Sequence, residues 1–176
     1  LRHYPEDREV RMLAAKLYYR MGLFPEAVGE YERLKFLSPE DPLIEENLGL
    51  SLWAAKQLDR AGGSFMSLKS SGGDFARRAD FYLGQLALEA GKFQEAFDHF
   101  TQAIGEGAPI PGLPVERLQT GLAMAAQKLS RWDEAQKAWE AVLRAVPGDA
   151  KAQAALREAT RRAQAAKKAA EKAAAA

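Results

Sequence analysis

Leu13, Leu17, Tyr18 and Met21 recur at three- and four-residue spacing. That is the period of an amphipathic helix, not the alternation of a strand. The spacing returns along most of the chain, and Ala, Leu, Glu, Lys, Arg and Gln dominate, which favour helix. Glycines and prolines punctuate the helical segments, with almost no strand signal between them. The pattern predicts an all-α chain of short helices.

The segments also repeat. AAKLYYRMGLFPEAVGEY at 14–31 aligns with LGLSLWAAKQLDRAGGSF at 48–65, LGQLALEAGKFQEAFDHF at 83–100 and LAMAAQKLSRWDEAQKAW at 122–139. The copies start at Ala14, Leu48, Leu83 and Leu122, a near-constant step that lengthens before the fourth. Each copy predicts two helices. The first carries a small residue: Ala15, Gly49, Gly84 or Ala123. The second carries Ala27, Ala61, Ala96 or Ala135, followed one helical turn on by Tyr31, Phe65, Phe100 or Trp139. Small residues let two helices approach, and the aromatic fills the space beside them. The hairpin between them holds Gly22, Gly91 or a polar equivalent, and Pro39 and Pro147 stop copies one and four.

This pattern resembles the tetratricopeptide repeat family, whose unit of about 34 residues pairs small helix positions with a later aromatic and a closing proline. The resemblance implies a right-handed α-α superhelical solenoid: four helix-turn-helix repeats, at about 8–41, 42–75, 77–110 and 116–149, forming one domain. Residues 150–176 are then a capping helix, with Asp149 as its cap and Leu156 its one large apolar residue, running into a basic Ala-rich tail. Beyond about Ala163 there is nothing to bury, so projection into solvent or fraying is expected. Pro5 lies one repeat length before Pro39, so residues 1–7 read as the remnant of a preceding repeat and the chain as a fragment of a longer protein. Three departures stand out. The first large position is polar in every copy, at Arg11, Glu45, Asp80 and Gln119. Copy two has Lys56 in place of the hairpin glycine. Copy three ends in GEGAPIPGLP at 105–114, an extended loop that marks a weaker boundary with copy four.

Composition narrows the function. Lys and Arg number 25 against 24 Asp and Glu, a formal net charge of +1, so no global field favours nucleic acid or membrane. Positive charge gathers at the end, where 150–176 holds seven Lys or Arg against two Glu. No aromatic lies among those basic residues to stack on bases, which weighs against nucleic acid. Cysteine is absent, removing disulfides, thiolate metal sites and cysteine nucleophiles. No apolar run approaches the roughly 18 residues of a spanning helix. The compartment stays open, with a soluble cytoplasmic setting preferred to a periplasmic one. His3 and His99 lack metal-ligand spacing, and the glycines fit no phosphate loop. Glu45–Glu46 and Asp80 read as solvated helix faces. The chain is therefore read as non-enzymatic, with no cofactor or metal.

What the resemblance implies instead is a concave groove lined by the first helix of each repeat, holding a peptide or helix of a partner protein. By register the stripe is Met12, Lys16, Tyr19 and Arg20 in copy one, and Glu46, Asn47, Leu50 and Trp53 in copy two. Copy three adds Arg78, Phe81, Tyr82, Gln85, Leu88 and Glu89. Copy four adds Arg117, Thr120, Met124, Gln127 and Lys128. For Phe81 and Leu50, packing between repeats is an equal alternative. One subgroup of the family clamps the terminal carboxylate of heat-shock chaperones, at positions that fall on Met12, Lys16, Asn47, Arg78 and Tyr82. Of the subgroup's Lys, Asn, Asn, Lys and Arg, only Asn47 is matched, which argues against such a clamp. The other reading is structural: a homo-oligomer formed through a repeat face or the C-terminal helix.

Overall fold

The computed structural model describes residues 7–105 and 109–175. Nine α-helices lie among the described residues: α1 (Arg8–Arg20), α2 (Phe24–Leu37), α3 (Pro42–Ala54), α4 (Leu58–Lys69), α5 (Gly73–Glu89), α6 (Phe93–Ile104), α7 (Val115–Lys128), α8 (Trp132–Ala145) and α9 (Ala150–Ala174). The extended pairing they contain is an isolated antiparallel bridge between Ile110 and Leu113. The proposed repeat remnant falls, except for Asp7, outside the described residues. The chain divides into two compact units, Leu1–Ala79 and Asp80–Ala176. Helix α5 begins in the first and ends in the second.

One turn builds all four hairpins. Gly22, Lys56, Gly91 and Ser130 have φ of 75°, 62°, 72° and 58°. After each, an N–H reaches back five residues: Leu23 to the Tyr18 carbonyl (2.9 Å), Gln57 to Leu52 (2.9 Å), Lys92 to Ala87 (2.9 Å) and Arg131 to Ala126 (2.8 Å). This closes the first helix with its orphan carbonyls satisfied and reverses the chain. Lys56 and Ser130 thus hold a left-handed conformation that costs a residue with a Cβ about 1–2 kcal/mol. The starts of α1, α3 and α9 are fixed by aspartates. Asp7 accepts from the Glu9 and Val10 N–H groups, Asp41 from Leu43, and Asp149 from Lys151 and Ala152.

In the first unit, α1 packs on α2, α2 on α3, and α3 on α4. Tyr31 and Leu34 of α2, Ile44 and Leu52 of α3, and Phe65 and Leu68 of α4 are buried. Gly49 is required where it stands, since a Cβ there would come within 2.5 Å of the Phe65 ring. Charges are drawn in among these apolar groups. Arg11 donates to Glu30 at 2.8 Å, Lys35 to Glu45 at 2.7 Å, and Arg78 to Glu46 at 3.0 Å. Glu45 and Glu46 are only 5% and 7% exposed, so the expectation of solvated faces is wrong for both. Each is met by a cation from another helix.

The second unit is dominated by aromatic and alanine packing. Phe81, Phe97, Phe100, Trp139 and Val142 share its core with Ala123, Ala125, Ala126 and Ala138. Phe100 meets two glycines: a Cβ at Gly84 would lie 3.0 Å from its ring, and one at Gly121 would collide with it. Asp80 also departs from the solvated expectation. It is 4% exposed, with its carboxylate 2.8 Å from His99 Nδ1. Asp80 and His99 are as far apart in sequence as Arg11 and Glu30, so the polar position of copies one and three is answered by the second helix of the same copy. Within the long loop, expected to mark a weaker boundary, Ile110 and Leu113 are buried in the core; residues 106–108 lie outside the described residues.

Helix α9 packs on α8. Ala152, Ala159 and Ala163 are buried and Leu156 packs against the core, as a cap requires. From Gln164 to Ala175 every residue is exposed, yet the helix continues unbroken to Ala174. Part of its hold is polar. Arg162 lies over the Trp132 ring at 5.6 Å, and Lys167 reaches Asp133 at 3.1 Å. The hydrogen bond from Arg162, with Arg161 beside it, holds Glu158 below the usual carboxylate range.

Candidate partner-binding surfaces

In the first unit, polar links set the first helices beside one another. Arg8 of α1 bonds Asp41 at the start of α3, and Arg78 of α5 bonds Glu46 of α3. Tyr19 is 37% exposed, and its ring stands edge-on to Phe24 with centroids 5.4 Å apart. Trp53, at the equivalent position of the next copy, is half-buried and edge-on to Phe65 at 6.3 Å. Both aromatics are held by a second ring while remaining partly open to solvent, a rigid arrangement that costs little entropy on contact.

Around them, Lys16 and Arg20 are exposed, and Met12 and Leu50 are half-buried. Asn47 donates its side-chain amide to the Leu43 carbonyl of its own helix. Arg78 is engaged by Glu46 and lies over the Phe75 ring at 4.6 Å. Burial, and then the nearby Tyr19, push the Tyr31 phenol up to about 12. A surface depression of about 550 Å³, lined by Arg11, Gly29, Glu32, Arg33, Phe36 and Leu37, lies off the stripe.

In the second unit one expected residue is misplaced. Phe81 is fully buried, tilted against Phe100 at 6.1 Å, and presents no surface to a ligand. The helix turns it inward and leaves Tyr82, edge-on to it at 5.4 Å, half-buried in the stripe. Gln85 and Gln127 are half-buried, Glu89 and Lys128 are exposed, and Met124 is 44% exposed. Arg117 spans α7 and α5, its guanidinium 5.2 Å from the Phe81 ring centre. Lys128 lies 5.8 Å from the Phe93 ring. Sequence reasoning misses the tightest such contact, Arg131 over Phe97 at 3.9 Å. The two stand one repeat length apart, but nothing in either residue type marks the pair.

No group of three or more His, Asp or Glu able to hold a metal ion occurs among the described residues. No helix among them is long and apolar enough to cross a membrane.

The sequence matches the family profile described as tetratricopeptide repeat at residues 1–42, 12–72 and 47–111, more than half of the chain. The chain belongs to the tetratricopeptide repeat family. The fold of solved structures agrees. MamA from Desulfovibrio magneticus RS-1, residues 41 to end, superposes with a TM-score of 0.77 at 17% identity, over 94% of this chain and 90% of that one. A tetratricopeptide repeat protein from Parabacteroides merdae gives 0.70 at 15% identity, over 91% and 60%. A chain in the structure of Naa15/Naa10 bound to HypK-THB gives 0.68 at 19%, over 89% of this chain and 24% of that one. At these identities the likeness is one of fold. No curated protein sequence matches. The fold class is thus that of tetratricopeptide solenoids, a class typical of protein-interaction modules.

Proposed function

We propose that the chain is a non-enzymatic interaction module, and that the first-helix face of each unit binds a peptide or helix of a partner protein. The observation that carries this reading is the pair Tyr19 and Trp53. Two large aromatics at the same repeat position are each braced by a second ring and each partly open to solvent. Buried area per rotatable bond makes such residues the usual energetic centre of an interface. Leu50 and Met12 in the first unit, and Tyr82, Gln85 and Met124 in the second, supply the apolar and amide surface around the anchors. The test is recovery of partners by the intact protein and by the Tyr19→Ala, Trp53→Ala double variant. The same partners recovered at the same yield by both would end the assignment.

A second reading has its own observation. Leu13, Leu17 and Phe36, on α1 and α2, are 68%, 56% and 88% exposed. Exposed apolar side chains of this size suit self-association. Sedimentation of the intact chain and of a Leu17→Glu, Phe36→Glu variant tests it. A concentration-independent monomer mass for the intact chain removes this reading.

A further inference from the structure

We infer that the segment captured by these surfaces is acidic: a helix or peptide whose apolar anchors are flanked by carboxylates. The inference rests on the binding reading above and adds the partner's chemistry. It comes from how charge is compensated in each unit. In the first unit, most basic residues off the stripe have carboxylates, the exposed hairpin residue Lys56 being an exception. Arg8 pairs with Asp41, Arg33 with Glu30, Lys35 with Glu45, and Arg60 with Glu32. Lys16 and Arg20, on the stripe, form no ion pair among the described residues, and both are exposed. They also stand one turn apart on α1, a like-charge spacing that destabilises a helix.

The acid of the same stripe is turned away from solvent. Glu46 is 7% exposed and its carboxylate is held by Arg78. What the stripe presents to solvent beside Tyr19 is therefore positive charge. In the second unit, Arg117 and Lys128 are exposed, their charges resting on the Phe81 and Phe93 rings with no carboxylate paired among the described residues. Arg117 sits in the first turn of α7, where the helix dipole disfavours a cation. The acids on this stretch of α5 are Asp80, buried against His99, and the exposed Glu89. Both surfaces thus present aromatic or thioether area beside cations that no carboxylate neutralises. A carboxylate-bearing segment complements that arrangement, while a basic one is repelled.

The test uses the full chain and three synthetic helical peptides of equal length. Each has Leu at alternating three- and four-residue spacing, and the remaining positions are all Glu, all Gln or all Lys. Binding is read by fluorescence anisotropy at about 0.05 and about 0.3 M NaCl, where screening differs strongly. The expected result is that the Glu peptide binds about tenfold tighter than the Gln peptide at low salt, with the gap closing at high salt. Lys16→Glu with Arg20→Glu, or Arg117→Glu with Lys128→Glu, should each weaken the Glu peptide by roughly tenfold. Lys137→Glu, exposed on α8 away from the stripe, should not. Equal binding of the Glu and Gln peptides, or charge reversals without effect, overturns the inference. So does failure of all three peptides to bind at about 0.1 mM. A Gln peptide that binds as well as the Glu form, and is lost with Tyr19→Ala and Trp53→Ala, would leave the surface assignment standing and remove only its acidic partner.

Discussion

The two units share a repeat, a turn and an apolar core but differ in how much charge is drawn into it. In the first, three buried carboxylates meet Arg11, Lys35 and Arg78, so ionic pairs run through the helix interfaces. In the second, Phe81, Phe97, Phe100 and Trp139 fill the space, and the polar position of copy three is held by the half-buried His99. Burying a charge costs several kcal/mol that a partner only roughly offsets, whereas burying a phenyl ring is favourable outright. The first unit therefore gains directional matching from its pairs and little net stability. The second gains stability from its rings, and around Phe100, as around Phe65 in the first, there is no room for added bulk.

The largest expected effect separates the two. Phe100→Ala should cost about 3–5 kcal/mol, because the ring is fully buried between Gly84 and Gly121 and two backbones already approach it closely. Hydrogen exchange should show the loss in the second unit's amides. A smaller loss, under about 2 kcal/mol, would mean α7 collapses into the void and the aromatic core is not the determining force.

Next is the ionic unit. Glu30→Ala should cost about 3 kcal/mol, since it strands the 7%-exposed Arg11. Arg11→Met combined with Glu30→Leu should recover most of that, measured by urea unfolding. If the double variant stays as unstable as the single one, the pair contributes stability itself and the contrast between units narrows.

A third test uses pH. The Tyr31 phenol is raised to about 12 in the folded state by burial, against about 10 when unfolded. Below about pH 10 both states are protonated and nothing changes. Between about 10 and 12 the unfolded chain loses its proton first, so up to about 2–3 kcal/mol of stability is lost across that window. Tyr31→Phe should flatten the decline in thermal midpoint over the same range.

The smallest effect is at the hairpins, one in each unit. Lys56→Gly and Ser130→Gly should each stabilise by about 0.5–1 kcal/mol, because both positions are left-handed. Equal gains in thermal midpoint would show that the turn is independent of what surrounds it. Unequal gains would tie it to the ionic or the aromatic core.

Much of this architecture is legible in sequence because it is local. The hairpin glycines, the aspartate cap at Asp149 and the aromatic one turn after each alanine are set by neighbours along the chain, and the repeat shows most of these features several times over. What stays hidden depends on contacts between elements. Glu45 and Glu46 look like surface residues until Lys35 and Arg78, from other helices, are brought to them. Phe81 and Tyr82 are adjacent, and only the packing of α6 decides which turns inward. Gly121 carries no signal of its own, because copies one to three have Leu13, Asn47 and Tyr82 at its position. Ile110 and Leu113 are masked by the prolines and glycine around them.

Tandem arrays grow by duplicating and reordering whole repeats, and Phe100 sets a rule of succession for this one. Its ring occupies the space that a side chain at position 121 would need. Only a repeat with glycine there can follow the third copy unaltered. Copy two, transplanted into that place, would arrive with Asn47 where the ring already stands, and copy one with Leu13. The order of the third and fourth copies is written into the chain, and in a shuffled library of these repeats, arrangements that put another copy directly after the third should be depleted among the folded products.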